Sequence, residues 1–431
     1  MKKRILVFLS AFLAITLMAQ FCSGPLGGGG GGEKVTLVFW KLFDDSENFR
    51  EIVQNYTKIN PNVKVTIVKK DVATYEQDLL EAFASGAGPD IFSIHNDWVP
   101  LYKNKLEPAA EGLFSAREFQ DSFVDVASQD LYDEEGKLYA VPFSVDTLAL
   151  FYNKDLLGSA GVATPPRTWE EMIEAVKQIT RQDRFGNFTV NGVAMGTYAN
   201  INRSTDILSL LLLQNGSQVY NASRSNSIIS RDLVGPDGVR YSPGEQALEF
   251  YAQFANPSKE TYTWNNGNSH SIDAFAAGQT AMMFSYSYLI PTIRSKAPFL
   301  NIGIAPVPQI DLSKPRVNFA NYFAEAVSKA SSNTDEAWDF LKFATSDESL
   351  KSYYAKNKLP ASRKSIIATQ ISNPEIGVFA EAALTAKTFY KPNMAKVEAI
   401  FAAMIEDVVL RGKSSNQAVS TANRLLDELL R

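Results

Sequence analysis

Cysteine is nearly absent. Of 431 residues only Cys22 is one, so no intramolecular disulfide can form and cysteine-rich metal sites are excluded. Histidine is almost as scarce: with His95 and His270 alone, a zinc site built on several imidazoles has no residues to draw on. Neither a metal nor a cofactor is expected. Basic blocks are missing too. The chain carries 42 Lys and Arg against 47 Asp and Glu, a net charge of −5. An acidic chain without clustered cations is poorly suited to nucleic acid, because phosphate binding needs such clusters. There is no GxSxG and no HExxH, so the nucleophile-elbow and zincin patterns have no support. Gly412-Lys413-Ser414 matches only the tail of a phosphate-binding loop, and Asp407 occupies the place of its required earlier glycine. Among the many carboxylates a glycosidase pair remains open, but Asp44-Asp45 reads better as a loop or ligand-binding pair than as an acid/base dyad.

What is present is aromatic. The chain has 17 Tyr, 27 Phe and 5 Trp, within 45% hydrophobic and 21% charged content. At this length one core is too few, since single cores stop growing at roughly 250–300 residues, and two domains are expected.

The first residues read as an address. Lys2, Lys3 and Arg4 precede an apolar run from Ile5 to Met18, of signal-peptide length and short for a membrane span. Removing them leaves 39 basic against 47 acidic residues, or −8. A lone cysteine directly after such a run resembles a bacterial lipoprotein signal, which implies lipidation at Cys22. The expected division is a signal peptide over 1–21 and a glycine-rich tether over 22–34. Six consecutive glycines, Gly27 to Gly32, behave as flexible coil, and with no strand before them they are no dinucleotide fingerprint.

Periodicity organises the next stretch. VTLVFW (35–40) reads as a strand. Phe49, Ile52, Val53 and Tyr56 recur at helical spacing. Val63, Val65 and Ile67 alternate, Thr74 is placed to cap a helix carrying Tyr75, Leu79 and Phe83, and Ile91–Ile94 is a third strand. This is β-α-β-α-β, an α/β sheet whose ligands belong at the carboxyl ends of the strands. Those ends carry Trp40 to Asp45 and His95-Asn96-Asp97-Trp98. Tyr139 to Leu156 then reads as a chain leaving one sheet and entering another, with Asp146 at the cleft the crossing makes.

Together these segments resemble the family 1 extracellular solute-binding proteins of ABC transporters. LVFW, INPNVKVTIV and LLEAFASGAGPDIFSIHNDW are similar to that family's N-terminal lobe, and YAVPFSVDTLALFYNKDLL to its first interlobe crossing. PPRTWEEM, where Thr168 and Glu171 are spaced as a capping box, and FAAGQTAM (275–282) follow in the family's order. The resemblance implies an α/β, two-lobed periplasmic-binding-protein type II fold with three hinge crossings, the second at Ile302–Pro308 and the third at Lys358–Ala361. The lobes expected are 35–145 with 308–357, and 146–307 with 358–431, with the polar stretch 215–243 as a surface insertion.

A saccharide offers apolar C–H faces and a ring of hydroxyls, which aromatics and carboxylates can meet. Candidate acceptors are Asp45, Asn96, Asp97 and Asp146. Candidate surfaces are Trp40, Trp98, Tyr152, Tyr322 and the loop residue Trp264. Tyr288 and Phe401 match stacking positions of the family. Plain core packing is the alternative for Trp40, Tyr152 and Phe401. The resemblance implies a non-enzymatic, monomeric, membrane-anchored extracellular or periplasmic protein that delivers carbohydrate to permease subunits. A secreted polysaccharide-acting enzyme, or a ligand sensor for a membrane receptor, are the competing readings.

Overall fold

The computed structural model describes residues 34–235 and 237–431. The expected signal peptide, Cys22 and nearly all of the tether lie outside these. Among the described residues, no helix is long and apolar enough to cross a membrane.

Two buried clusters divide the molecule into lobes. The first is built on a sheet in the order Val63–Lys70, Val35–Leu42, Ile91–His95, Phe323–Ser328 and Leu106–Glu107, with Ala140–Val141 also paired to Phe323–Ser328. Its first three strands are parallel, as the β-α-β-α-β pattern requires. Phe323–Ser328 enters antiparallel beside Ile91–His95, with Phe323 opposite His95. The second lobe holds a sheet in the order Ile302–Ala305, Ala149–Asn153, Thr280–Ser285, Phe188–Val193 and Arg181–Gln182.

Local chemistry explains most element ends. Asp45 accepts from the Glu47 amide and starts the helix Ser46–Ile59, whose buried face is Phe49, Ile52 and Tyr56. Thr168 accepts from the Glu171 amide ahead of Trp169–Ile179. The reciprocal half of that expected capping box is diverted: Glu171 Oε2 accepts from the Arg167 amide instead. Thr74 makes no side-chain cap; its backbone is already near-helical, and its carbonyl accepts from Asp78.

A third, three-stranded sheet joins the lobes. Asn318–Asn321 runs at its centre, antiparallel to Asp146–Thr147 and parallel to Ala386–Lys387. The first crossing lies at Asp146–Thr147, while the second and third fall later than the expected Ile302–Pro308 and Lys358–Ala361. Ile302–Ala305 is an edge strand of the second sheet, and the return to the first lobe comes at Phe319 and Ala320, which pack in different cores. Ala361 bridges to Ser144 beside the first crossing, but Ala361, Ile366, Ile367 and Ala383 all pack in the first core. The last transit follows at Ala386–Lys387, and Met394–Val409 and Ser415–Glu428 then complete the second core. Nor is 215–243 wholly superficial, since Val219, Tyr220 and Ile229 are buried in that core.

One ion pair secures the returning strand. Lys41 Nζ lies 2.5 Å from Glu325 Oε1 and 3.2 Å from Asp44, inside a cage of the Phe39, Phe49 and Phe143 rings. Ser93 Oγ donates to the other Glu325 oxygen. Removing one partner of a buried pair strands the other charge, at about 3–5 kcal/mol, whereas replacing both by apolar groups is often near neutral. Lys41→Met is therefore expected to destabilise the protein by about 3–5 kcal/mol in urea unfolding, and Lys41→Met/Glu325→Leu to recover most of that loss. A double variant no more stable than the single one would refute this account.

Candidate ligand-binding cleft

The carboxyl end of the first strand turns sharply. Phe43 takes a left-handed backbone (φ 64°), which is costly for a bulky side chain, and its ring is 61% exposed. It meets Phe323 edge-on at 5.5 Å, and Phe323 meets His95 edge-on at 5.1 Å. The neighbouring Asp44 is tied inward, accepting from Tyr353 and Asn48. Asp45 is exposed and occupied as a helix cap.

The next strand end carries charge. His95 Nδ1 lies 2.6 Å from Asp97 Oδ1, and His95 Nε2 lies 3.1 Å from Asn321 Oδ1. The other Asp97 oxygen is 3.0 Å from Lys391 Nζ, on the last transit between lobes. All three side chains are buried. Burial opposes charge on Asp97, but the His95 and Lys391 cations outweigh it and hold its carboxyl well below the usual range. Burial likewise opposes the His95 cation, and the Asp97 carboxylate outweighs it to raise the imidazole.

Asn96 and Tyr322 serve as framework. The Asn96 amide bonds the Tyr322 carbonyl, and both side chains donate to Asp130, as does Thr388. Burial pushes Asp130 up to about 6 despite these bonds. Asp146 lies on the first crossing. Its Oδ1 accepts from the Thr147 and Ser287 amides and its Oδ2 from Ser287 Oγ at 2.7 Å, tying the crossing to the end of strand Thr280–Ser285. Burial raises it also to about 6, against those hydrogen bonds.

From the second lobe comes a matching wall. Tyr288 is 45% exposed and stacks on Tyr286 at 6.0 Å and 16°. Tyr286 OH donates to Asp206, and Arg203 Nε donates to Tyr288 OH with its guanidinium over both rings. Arg203 is left-handed (φ 60°) at the start of the buried helix Ser204–Gln214. Glu398, on Met394–Val409, lies 4.0 Å from Lys391, and its carboxyl responds to His95 and Asp97 of the first lobe as well as Asp206 of the second. Burial raises it and Lys391 pulls it back. The chains Phe43–Phe323–His95 and Tyr288–Tyr286–Asp206 therefore approach one charged floor from opposite lobes.

Other proposed surfaces lie elsewhere. Trp264 is 0% exposed in the second core, its Nε1 bonded to Asn200. Phe401 is 1% exposed in the same core, and Glu398, one turn earlier, takes the cleft side of that helix. Trp40 packs against the first core with Lys70 Nζ 4.1 Å from its ring. Trp98 is buried against Tyr75. Tyr152 packs over Gly303 in a separate cavity with Ile293 and Arg294. Phe43, Tyr286, Arg203, Asp206, Lys391 and Glu398 escaped sequence reasoning. The signals were slight: an acid opening a run of leucines for Asp206, and the first tyrosine of SYSY for Tyr286.

Residues 41–351 match the family model described as bacterial extracellular solute-binding protein. An arabinooligosaccharide-binding protein of Bacillus subtilis is 26% identical over 81% of this chain and 77% of its own. A galactooligosaccharide-binding protein of the same organism is 23% identical over 77% and 73%. In fold, the cyclic alpha-maltosyl-1,6-maltose binding protein from Arthrobacter globiformis superposes with a TM-score of 0.75 at 20% identity, covering 92% of this chain and 99% of its own. The sugar-binding protein MalE from Xanthomonas citri gives 0.74 at 22%, covering 92% and 97%.

The raised Asp146 pKa has a defined sign. A carboxyl raised by folding contributes stability that is full below its ordinary value, near 4, and lost as pH rises through its folded value, about 6. The wild type should therefore lose stability relative to Asp146→Asn as pH rises from about 4 to about 7, and the difference should level off above that. Denaturant unfolding across this range measures it, and a pH-independent difference would show that Asp146 titrates normally.

Proposed function

The chain belongs to the bacterial extracellular solute-binding protein family, whose members bind ligands for transporters and are not enzymes, and we propose that it is the carbohydrate-binding subunit of an ABC importer. The observation that carries this reading is the pair of exposed aromatics, Phe43 and Tyr288, held on opposite lobes beside a charged floor of the buried His95, Asp97, Lys391 and Asp206 and the partly buried Glu398. Aromatic faces cover the C–H surfaces of a sugar, and charged donors and acceptors take its hydroxyls in strong hydrogen bonds. The floor's cations each have a carboxylate partner, which suits an uncharged ligand better than a phosphorylated one. Both Bacillus relatives are named for oligosaccharides, and an oligosaccharide is the ligand we assign.

Asp97 contacts the ligand directly in this reading, while Asn96, Asp146 and Tyr322 act through the frame that aligns the lobes. Ligand touching both lobes favours the closed arrangement about the three crossings. Delivery to permease subunits follows closure. Lipidation at Cys22, with the glycine run as tether, would hold the monomer at the outer face of the cytoplasmic membrane.

A thermal-shift screen against mono- and oligosaccharides tests the ligand class, because a ligand that binds only the folded state raises the melting temperature by mass action. No shift with any sugar removes the carbohydrate assignment. With the best ligand, Tyr288→Ala is expected to weaken binding about tenfold, a loss of about 1.4 kcal/mol, with the melting temperature of the free protein unchanged. An affinity equal to wild type in titration calorimetry would take Tyr288 out of the site. For the anchor, Cys22→Ser should move the protein from the membrane fraction to the soluble one, and retention on membranes would contradict lipidation.

A further inference from the structure

Beyond Asp97 and Lys391 the molecule holds a second space. A cavity of about 360 Å³ is walled by Asp97 and Asp130 of the first lobe, by Tyr390 and Lys391 of the last transit, and by Glu134 and Arg224. Asp97 and Lys391 thus belong both to the floor of the cleft and to this compartment.

Arg224 reaches it from the polar stretch that no part of the transport reading uses. The loop is internally wired. Asn221 Oδ1 accepts from the Ser225 and Asn226 amides, and Asn221 Nδ2 donates to Asn226 Oδ1 at 2.7 Å. Ser227 Oγ fastens its base to the Val219 carbonyl, and the buried Tyr220 beneath it meets Tyr390 edge-on at 5.8 Å. Arg224 itself is left-handed (φ 51°), an uncommon conformation for a residue other than glycine. Its guanidinium lies 4.2 Å from the Tyr390 ring centroid and 3.5 Å from Glu134 of the first lobe. At that distance the ion pair is not a hydrogen bond. Among the described residues the Arg224 side chain donates no hydrogen bond, so its fork is positioned by Tyr390 with its donors unspent.

The charge balance of the compartment narrows what it receives. Lys103 lies 2.8 Å from Asp133, Arg224 faces Glu134, and Lys391 faces Asp97. Each cation there has a carboxylate, and Asp130 and Glu135 remain besides, so the lining is net negative, which opposes an anionic ligand and leaves carboxylate oxygens free for hydroxyl donors. That composition suits a neutral, hydroxyl-rich group.

We propose that this compartment receives the far end of an oligosaccharide whose inner units occupy the cleft, and that Arg224 is the residue that discriminates chain length by donating to the distal sugar's hydroxyls. The inference rests on the carbohydrate reading of the cleft. The experiment is titration calorimetry with malto-, arabino- and galacto-oligosaccharide ladders, from disaccharide to hexasaccharide, on the whole protein and on Arg224→Ala and Glu134→Gln. Arg224 is exposed enough that the variant should fold, and its melting temperature confirms this. Arg224→Ala should leave the shortest bound ladder member within about twofold and weaken the longest about tenfold, flattening the gain with length. Glu134→Gln, which keeps the guanidinium, should preserve that gain. An equal loss at every length, or the same loss in Glu134→Gln, would make the loop a strut between lobes and overturn the proposal while leaving the carbohydrate reading in place. No change at any length overturns it as well. Failure of every ladder to bind the wild type overturns both.

Discussion

The Asp97 carboxylate is the point on which the two lobes agree. It is buried, and a buried anion is tolerated only when its oxygens are matched. One match, His95, comes from its own strand, and the other, Lys391, arrives on the last transit between lobes. The carboxylate thus fixes the imidazole on one side and the ammonium on the other. Through Phe323 the imidazole backs the exposed Phe43, and through Glu398 the ammonium reaches the second lobe's wall. Neither lobe alone satisfies this group, so its desolvation is offset only in the assembled protein.

A second layer surrounds this floor. Asp130 gathers Asn96, Tyr322 and Thr388, one from the site loop and two from crossings. Asp146 ties the first crossing to Ser287, one residue from Tyr288. Asp146 is buried and Asp130 partly so, and desolvation pushes both carboxyls up to about 6. The hinge is thereby a place where the chain segments are short and the polar groups few but fully engaged.

Much of this was legible before any coordinates. The strand and helix periods from Val35 to Ile94 carry the first lobe because each element buries one face on the next, and burial writes that face into the spacing. Thr168 announces its helix for the same local reason. What failed to show was of two kinds. Thr74 looks like a cap, yet its backbone is already near-helical and leaves the side chain nothing to accept. Phe401 and Trp264 look like stacking surfaces, but whether an aromatic faces a cleft or a core depends on what packs against it from distant sequence. Glu398 and Lys391 were invisible for that reason also: their roles are defined by Asp97, some three hundred residues earlier. The second crossing departs from its expected place because an edge strand and a hinge strand have the same apolar signature.

The strand Phe323–Ser328 lies inside the first sheet, between Ile91–His95 and Leu106–Glu107, where Glu325 bonds Ser93 across 232 positions of chain. A sheet with an interior member that comes so late cannot close until most of the polypeptide is available. Contacts of such long range slow folding, because loop closure must precede the reward. Until then Ile91–His95 is an open edge and Lys41 a cation without its main counterion.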